Sequence, residues 1–148
     1  MYEVTIRRHI AAAHALREVG GTCENLHGHN FIIEVSISGE HLDPQDLLID
    51  FRELKVWIDE ALQPLDHRNL NDLETFKGIN PSSERLAQTI HDGIAPRASA
   101  SGLSVSRVVV WESEDARVAY EPPRLDPDRN DRISTTTPPA VRTTPPAA

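Results

Sequence analysis

Apolar and polar residues alternate along two segments in the first quarter of the chain. A period of two places successive side chains on opposite faces of a strand. We therefore predict two strands, each with one buried face. The first apolar face consists of Tyr2, Val4, Ile6, Ile10, Ala12 and His14, and the second of Phe31, Ile33, Val35 and Ile37.

Two later segments carry apolar residues at helical spacing. The first helix is predicted to begin after Asp50, an N-cap that Glu53 completes as a capping box, and to end at Pro64. The second is predicted to begin near 81–84, where proline suits a first turn and serine a cap, and to close at Pro96. The buried stripes are Phe51, Leu54, Ile58, Ala61 and Leu65 in the first helix and Leu86, Ile90 and Ile94 in the second.

Strands are predicted again after the helices. Residues 104–112 form the most apolar of them, 117–120 the last, and 47–50 a short extended piece before the first helix. The order β-β-(β)-α-α-β-β places both helices between antiparallel strands. The pattern therefore predicts an α+β fold.

Composition changes sharply after Tyr120. The chain has 148 residues, enough for one ordinary domain, and seven of its 11 prolines lie beyond this point. The final segment is rich in threonine and proline and has almost no apolar side chains to bury. We predict one folded domain over 1–120 and a disordered tail over 121–148.

Charge and cysteine content exclude several classes of protein. The formal net charge of −8 argues against nonspecific nucleic-acid binding, which depends on clustered lysine and arginine. No apolar run is long enough to cross a bilayer, and the first residues lack the pattern of a secretory signal. A single cysteine allows no internal disulfide. We expect a cytoplasmic protein without nucleic-acid or membrane partners.

Three histidines lie within sixteen residues near the start of the chain: His14, His27 and His29. His14 belongs to the apolar face of the first predicted strand, and His27 and His29 to that of the second. If the two strands pair antiparallel, the three imidazoles converge at one end of the ribbon. Three protein ligands with one open position are typical of catalytic zinc. We predict a zinc site here.

Cys23 allows three interpretations. It could be an inert buried thiol, a fourth ligand that closes a structural zinc centre, or a reacting thiol whose pKa is depressed by nearby positive charge. The surrounding segment 19–24 has the composition of an exposed loop, which disfavours inert burial. Spacing alone does not separate the other two.

Polar residues at element ends are further candidates. Asp66 precedes His67, as in acid–base pairs, although adjacent residues seldom hydrogen-bond well and a polar helix end explains them equally. Glu112 ends the most apolar strand, where it is either solvated or a bidentate acceptor for a guanidine-like ligand edge. Ser82 and Ser83 are expected first as helix caps.

Five ordered motifs give the chain a resemblance to 6-pyruvoyltetrahydropterin synthase-like proteins, over about residues 2–120. The short cysteine-to-histidine spacing is most similar to the queuosine-pathway branch, the 6-carboxy-5,6,7,8-tetrahydropterin synthases. The motifs are His14…Cys23-x-x-x-His27-Gly-His29-Asn30, Ile49-Asp-Phe51-x-x-Leu-Lys55, Leu65-Asp-His-Arg-Asn-Leu-Asn71, Asn80-Pro-Ser-Ser-Glu84 and Trp111-Glu112.

The resemblance implies a tunnelling fold, in which a four-stranded antiparallel sheet carries two helices on one face. It also implies a homo-oligomer, a hexamer, with active sites at subunit interfaces. Carried over by position, His14, His27 and His29 would bind zinc, and Cys23, Asp66 and His67 would move protons. Glu112 would anchor the pterin and join the proton relay, and Ser82 and Ser83 would contact the pterin.

The implied reaction converts 7,8-dihydroneopterin triphosphate to 6-carboxytetrahydropterin, acetaldehyde and triphosphate. The motifs are shared with 6-pyruvoyltetrahydropterin synthase, which eliminates triphosphate without cleaving a carbon–carbon bond. The same chemistry could also serve the biosynthesis of another deazapurine. A different class of protein stays open: a non-catalytic zinc-stabilised binding module in which Cys23 is a ligand.

Overall fold

The structure is a computed structural model and describes residues 1–123, so the predicted tail from residue 124 on lies outside the described residues. Five strands and two helices make up the described part of the chain. In chain order they are β1 (Tyr2–His14), β2 (His27–Gly39), α1 (Phe51–Leu62), β3 (Arg68–Asn69), α2 (Ser83–Ala100), β4 (Ser104–Trp111) and β5 (Arg117–Tyr120). The α+β class predicted from the pattern is confirmed.

The five strands form one mixed sheet in the order β3-β1-β2-β4-β5. The four longer strands are antiparallel, as the resemblance implied. The two-residue β3 was not expected and runs parallel to β1. It forms where the chain leaving α1 returns along the free edge of β1, and the His67 backbone N–H donates to the Ala11 carbonyl at 2.6 Å.

Both helices pack on the same face of the sheet. Leu54 and Ile58 of α1 and Ile90 of α2 belong to one buried cluster with Ile33 of β2 and Val108 of β4. Burying an aliphatic side chain of this size contributes about 1.5–3 kcal/mol, so this layer supplies most of the hydrophobic stabilisation. Neither helix is long and apolar enough to span a membrane, within the part of the chain that the structure describes.

Helix α1 begins as predicted and ends earlier. The Asp50 carboxylate accepts a hydrogen bond from the Arg52 backbone N–H at 2.7 Å and so caps the first turn. Phe51 was expected in the buried stripe but is exposed, and Trp57 is buried with Leu54, Ile58 and Leu62 instead. The expected stripe was therefore wrong at its first position, and its last member, Leu65, is buried but lies beyond the end of the helix.

Helix α2 continues beyond the proline that was expected to close it. Pro96 lies inside the helix, which ends at Ala100. Proline removes one N–H donor from the helical ladder. Ile94 and Ala98, on either side of it, are fully buried, and their packing holds the last turn in place.

Residues 47–50, predicted as extended, form no strand. The Asp43 carboxylate accepts hydrogen bonds from the backbone N–H groups of Gln45 and Leu47 at 2.8 and 2.9 Å. Asp46 has a φ of 60°. These bonds close a turn, and they engage the Leu47 backbone N–H that a strand would have paired.

Candidate functional site

The three histidines converge because β1 and β2 pair without interruption. His14 lies opposite His27, and Ala12 lies opposite His29. A bulge in β4, where Ser106 is the extra residue opposite Ser36 and Ile37, affects only the pairing of β2 with β4 and lies far from the histidines. The centroids of the His14, His27 and His29 rings are 4.7 to 5.3 Å apart. The predicted convergence is confirmed.

Backbone carbonyls orient two of the three rings. Nδ1 of His14 lies 2.8 Å from the Pro81 carbonyl, and Nδ1 of His27 lies 2.7 Å from the Asn25 carbonyl. A carbonyl oxygen only accepts, so each Nδ1 carries the proton and each Nε2 presents a lone pair. Metal-binding histidines are commonly fixed in this way.

The Nε2 atoms that remain fit a divalent metal ion. Nε2 of His14 and Nε2 of His29 are buried and have no hydrogen-bond partner among the described residues. Buried polar atoms without a partner are costly, and a metal ion would satisfy them. His14, His27, His29 and Glu112 each offer one ligand atom, and the four atoms lie within 4.8 Å of one another. Imidazole nitrogens with a carboxylate oxygen are a common donor set for zinc.

Burial lowers the pKa of His29, and the neighbouring imidazoles of His14 and His27 lower it further. The carboxylate of Glu112, with Oε1 3.4 Å from Nε2 of His29, acts in the opposite direction. The net direction is downward. At neutral pH the ring is therefore neutral, the state in which it can bind a metal ion.

Glu112 was expected at the mouth of the core, and the structure adds two contacts. One carboxylate oxygen faces His29, and the other accepts a hydrogen bond from the Ser83 hydroxyl at 2.5 Å. Ser83 is buried, whereas Ser82 caps α2 by accepting from the Arg85 backbone N–H. A cavity of about 240 Å³ opens beside them, lined by Leu16, Ser82, Ser83, Glu112, Arg117 and Val118 among others.

Asp66 and His67 do contact each other, contrary to the expectation for adjacent residues. Nδ1 of His67 lies 3.0 Å from Oδ2 of Asp66, and His67 has a left-handed φ of 56°. The other oxygen of Asp66 accepts from the Ala11 backbone N–H at 2.9 Å. That hydrogen bond, more than the contact with His67, holds the pKa of Asp66 below its usual value.

His67 borders a second, larger depression of about 500 Å³ at the edge of β1. His29 also borders it, so His67 and one of the three clustered histidines share a surface. The side chain of His67 is 81% exposed. Nothing within the described residues covers it, so it is free to meet a ligand or a second chain.

Cys23 lies in the 3₁₀ turn Gly21–Glu24 and is exposed. The group of four close ligand atoms among residues 1–123 includes Glu112 and does not include this thiol. Its backbone carbonyl accepts from the Leu16 N–H at 2.8 Å, which closes the loop. The exposure removes the interpretation of an inert buried thiol.

Two features of the site were missed by the sequence reasoning. The carbonyls of Pro81 and Asn25 orient the rings, and backbone groups leave no trace in side-chain patterns. The position of Glu112 beside His29 follows from the order of the strands, since Trp111 pairs with Ile32 in the neighbouring β2. The adjacency of β4 and β2 was the one signal that could have placed Glu112 beside His29.

Comparison with known proteins gives consistent results. A family profile described as 6-pyruvoyl tetrahydropterin synthase matches residues 3–123. The chain is similar to a Bacillus subtilis 6-carboxy-5,6,7,8-tetrahydropterin synthase, with 34% identity over 63% of this chain and 65% of that protein. It is also similar to a Dictyostelium discoideum 6-pyruvoyl tetrahydrobiopterin synthase, with 38% identity over 70% of this chain and 76% of that protein.

Two further proteins are matched over almost their whole length. A Pyrococcus furiosus dihydroneopterin monophosphate aldolase is 32% identical over 80% of this chain and 96% of that protein. The structure of a Caenorhabditis elegans 6-pyruvoyl tetrahydropterin synthase superposes with a TM-score of 0.70 at 29% identity, over 83% of this chain and 98% of that one. The chain therefore belongs to the 6-pyruvoyl tetrahydropterin synthase family.

Proposed function

We propose that the protein is a zinc-dependent 6-carboxy-5,6,7,8-tetrahydropterin synthase. In this reaction 7,8-dihydroneopterin triphosphate and one water give 6-carboxytetrahydropterin, acetaldehyde and triphosphate. The observation that supports it most is the cluster of three imidazoles beside Glu112, with the unpartnered Nε2 atoms of His14 and His29 buried within it. The similarity to the Bacillus subtilis enzyme favours this product.

His14, His27 and His29 are the residues proposed to hold zinc. Bound there, zinc would supply a Lewis acid for the hydroxyl oxygens of the substrate side chain. The carbonyls of Pro81 and Asn25 keep two of the ligand nitrogens aimed at one point. Preset ligand directions reduce the reorganisation that binding would otherwise require.

Glu112 is proposed to bind the amino-pyrimidine edge of the pterin. A carboxylate accepts two parallel N–H donors from a guanidine-like edge. The hydrogen bond from Ser83 fixes the carboxylate plane, and the cavity beside it is lined by Ser82, whose hydroxyl is a further candidate contact. Because Glu112 also lies 3.4 Å from His29, a pterin held there would have its side chain close to the histidine cluster.

Cys23, Asp66 and His67 are the proposed proton carriers. Cys23 and His67 both have exposed side chains, as a group that exchanges protons with a substrate requires. Asp66 contacts Nδ1 of His67 and so fixes the orientation of the ring, and because the pKa of Asp66 is lowered this carboxylate stays ionised.

The proposed assembly is a homo-oligomer, a hexamer, with the active sites at subunit interfaces and the protein in the cytoplasm. One observation supports shared sites: His67 faces outward at the edge of β1 rather than into the cavity beside Glu112. In this arrangement the acid–base pair of one chain would serve a site that a neighbouring chain completes.

Two other reactions have a specific observation behind them. Elimination of triphosphate to 6-pyruvoyltetrahydropterin is favoured by the identity of 38% to the Dictyostelium discoideum protein. Retro-aldol cleavage of dihydroneopterin monophosphate is favoured by the Pyrococcus furiosus relative, whose length is covered almost completely. All three reactions need an activated side-chain hydroxyl and a proton carrier.

Product analysis separates the three reactions. The zinc-loaded protein would be incubated with 7,8-dihydroneopterin triphosphate and, separately, with the monophosphate, and aldehydes and free phosphates would be quantified. Acetaldehyde and triphosphate in equal amounts support the proposal. Triphosphate without acetaldehyde favours the pyruvoyl product, and a phosphorylated two-carbon aldehyde from the monophosphate favours the aldolase. No product from either substrate would overturn the assignment as a pterin enzyme.

A further inference from the structure

The loop that carries Cys23 has no hydrophobic anchor. Residues 17–26 are all exposed, and the 3₁₀ turn within them contains no buried residue. Gly20 and Gly21 have φ values of 75° and 73°, and a Cβ at either position would meet nothing within 4 Å. A loop of this kind is held by polar contacts or is free to move.

Two asparagine side chains supply such contacts at the start of the loop. The Asn71 amide accepts from the Ala15 N–H at 2.8 Å and donates to the Ala15 carbonyl at 2.9 Å. The Asn80 amide does the same for Arg17, at 2.8 and 2.9 Å. Each amide therefore pairs with both backbone groups of one residue, as a neighbouring strand would.

Leu16 lies between Ala15 and Arg17, and its backbone N–H points to the opposite edge of this segment. The Leu16 N–H donates to the Cys23 carbonyl at 2.8 Å. Ala15, Leu16 and Arg17 thus continue the ladder of β1 beyond His14, with asparagine amides on one edge and the returning loop on the other. In this part of the chain, the position of Cys23 depends on a stretch that the two amides hold straight.

The same stretch is joined to the histidine cluster at both ends. His14 directly precedes it, and the carbonyl that orients His14 belongs to Pro81, next to Asn80. Where the chain leaves the loop and enters β2, the carbonyl of Asn25, two residues after Cys23, orients His27. The thiol and the histidines are therefore set by one connected set of hydrogen bonds.

We propose that Asn71 and Asn80 are positioning residues, which hold the Cys23 loop in register with the histidine cluster through paired amide-to-backbone hydrogen bonds. The role in turnover rests on the proposed function, whereas the holding of the loop does not. Asparagine suits this task because a planar amide offers one donor and one acceptor. Aspartate lacks the donor, and glutamine is longer by one methylene.

Hydrogen exchange with steady-state kinetics tests this role in Asn71→Ala, Asn80→Ala and the milder Asn80→Asp. In the zinc-loaded alanine variants, we expect the hydrogen-bonded amides within 15–26 to exchange about tenfold faster, because the net stabilisation by a pair of hydrogen bonds is of this order. Exchange in β2 and β4 and the zinc content stay as in the unmodified chain. We expect kcat of the alanine variants to fall about tenfold or more while KM changes less than about threefold. Asn80→Asp should give a kcat between that of Asn80→Ala and that of the unmodified chain.

Asp50→Ala is the matched control, since it removes a helix cap in α1 and lowers the melting temperature without touching the loop. It should leave both kcat and the exchange of 15–26 unchanged. Unaltered exchange in both alanine variants would overturn the proposal, and so would faster exchange with unaltered kcat. If the unmodified chain turned over no dihydroneopterin phosphate, the proposed function would fall, and the exchange rates alone would decide whether the amides hold the loop.

Discussion

The histidine cluster and the Cys23 loop lie side by side but are held by different forces. His14, His27 and His29 project from two strands that pair through thirteen consecutive positions, and His14 is buried. Cys23 lies on an exposed turn fixed by hydrogen bonds from two asparagines and one backbone amide. The sheet fixes the three proposed metal ligands, whereas a few polar contacts fix the thiol.

This difference suggests a division of tasks. Metal binding requires ligand directions that stay constant, which a continuous ladder provides. Proton transfer requires a group that can approach a substrate and withdraw, which suits an exposed loop. We therefore expect substitutions in the two regions to separate metal binding from turnover.

The largest effect is expected from His29→Ala. Removing one of three imidazoles leaves two imidazoles and the Glu112 carboxylate in the cluster, a weaker donor set, so the zinc content should fall from about one ion per chain to a small fraction. Turnover should decrease by about a thousandfold or more. Elemental analysis and product assays on the same sample check this. Zinc retained at full content would show that the cluster is not the metal site.

The next effect is expected from Cys23→Ala. Loss of a proton carrier typically costs about 10²- to 10⁴-fold in rate, while zinc content should match that of the unmodified chain, because the thiol lies outside the group of four close ligand atoms. Cys23→Ser is the control that preserves size. Loss of zinc from Cys23→Ala would instead identify Cys23 as a ligand, as the zinc-stabilised binding module requires.

A smaller effect is expected from Ser83→Ala. Without the hydroxyl, one oxygen of Glu112 loses its donor and the carboxylate is less well oriented. We expect KM to rise by about three- to tenfold, with little change in kcat, since the typical net contribution of one hydrogen bond, about 0.5–1.5 kcal/mol, is of this size. Ser83→Thr retains a hydroxyl and serves as the control. A change in kcat without a change in KM would show that Ser83 does not act by orienting Glu112 for substrate binding.

The smallest effect concerns the stability of the metal-free protein as the pH is lowered. Burial lowers the pKa of His29, so below about 6.5 the unfolded chain takes up a proton there that the folded chain does not. The stability present above this pH should therefore be lost as the pH falls toward the lowered pKa. Urea unfolding in the presence of a chelator measures the slope. His29→Asn should flatten it, and an unchanged slope would rule out this cause.

Part of the structure could be predicted from the sequence because it depends on short-range patterns. The alternation along 2–14 and 27–37 fixed which face each histidine occupies, and antiparallel pairing then brought the three together. Family motifs pointed to Glu112, and the Asp50 cap followed from local chemistry. The family assignment and the α+β fold are confirmed by the comparisons.

Other features depend on contacts between distant parts of the chain. The continuation of α2 through Pro96 depends on burial of Ala98, which local propensity does not show. The short β3 forms only because the chain after α1 meets the edge of β1. The amide pairs of Asn71 and Asn80 join positions 56 and 63 residues apart, beyond the reach of any local pattern.

We propose that three imidazoles bind zinc while the nearby thiol stays out of the coordination sphere. X-ray absorption at the zinc edge tests it most directly in the purified, zinc-loaded protein. We expect only nitrogen and oxygen neighbours at about 2.0–2.2 Å, and the same spectrum from Cys23→Ala. A sulfur neighbour at about 2.3 Å that disappears in Cys23→Ala would contradict the claim and identify a closed, structural zinc centre.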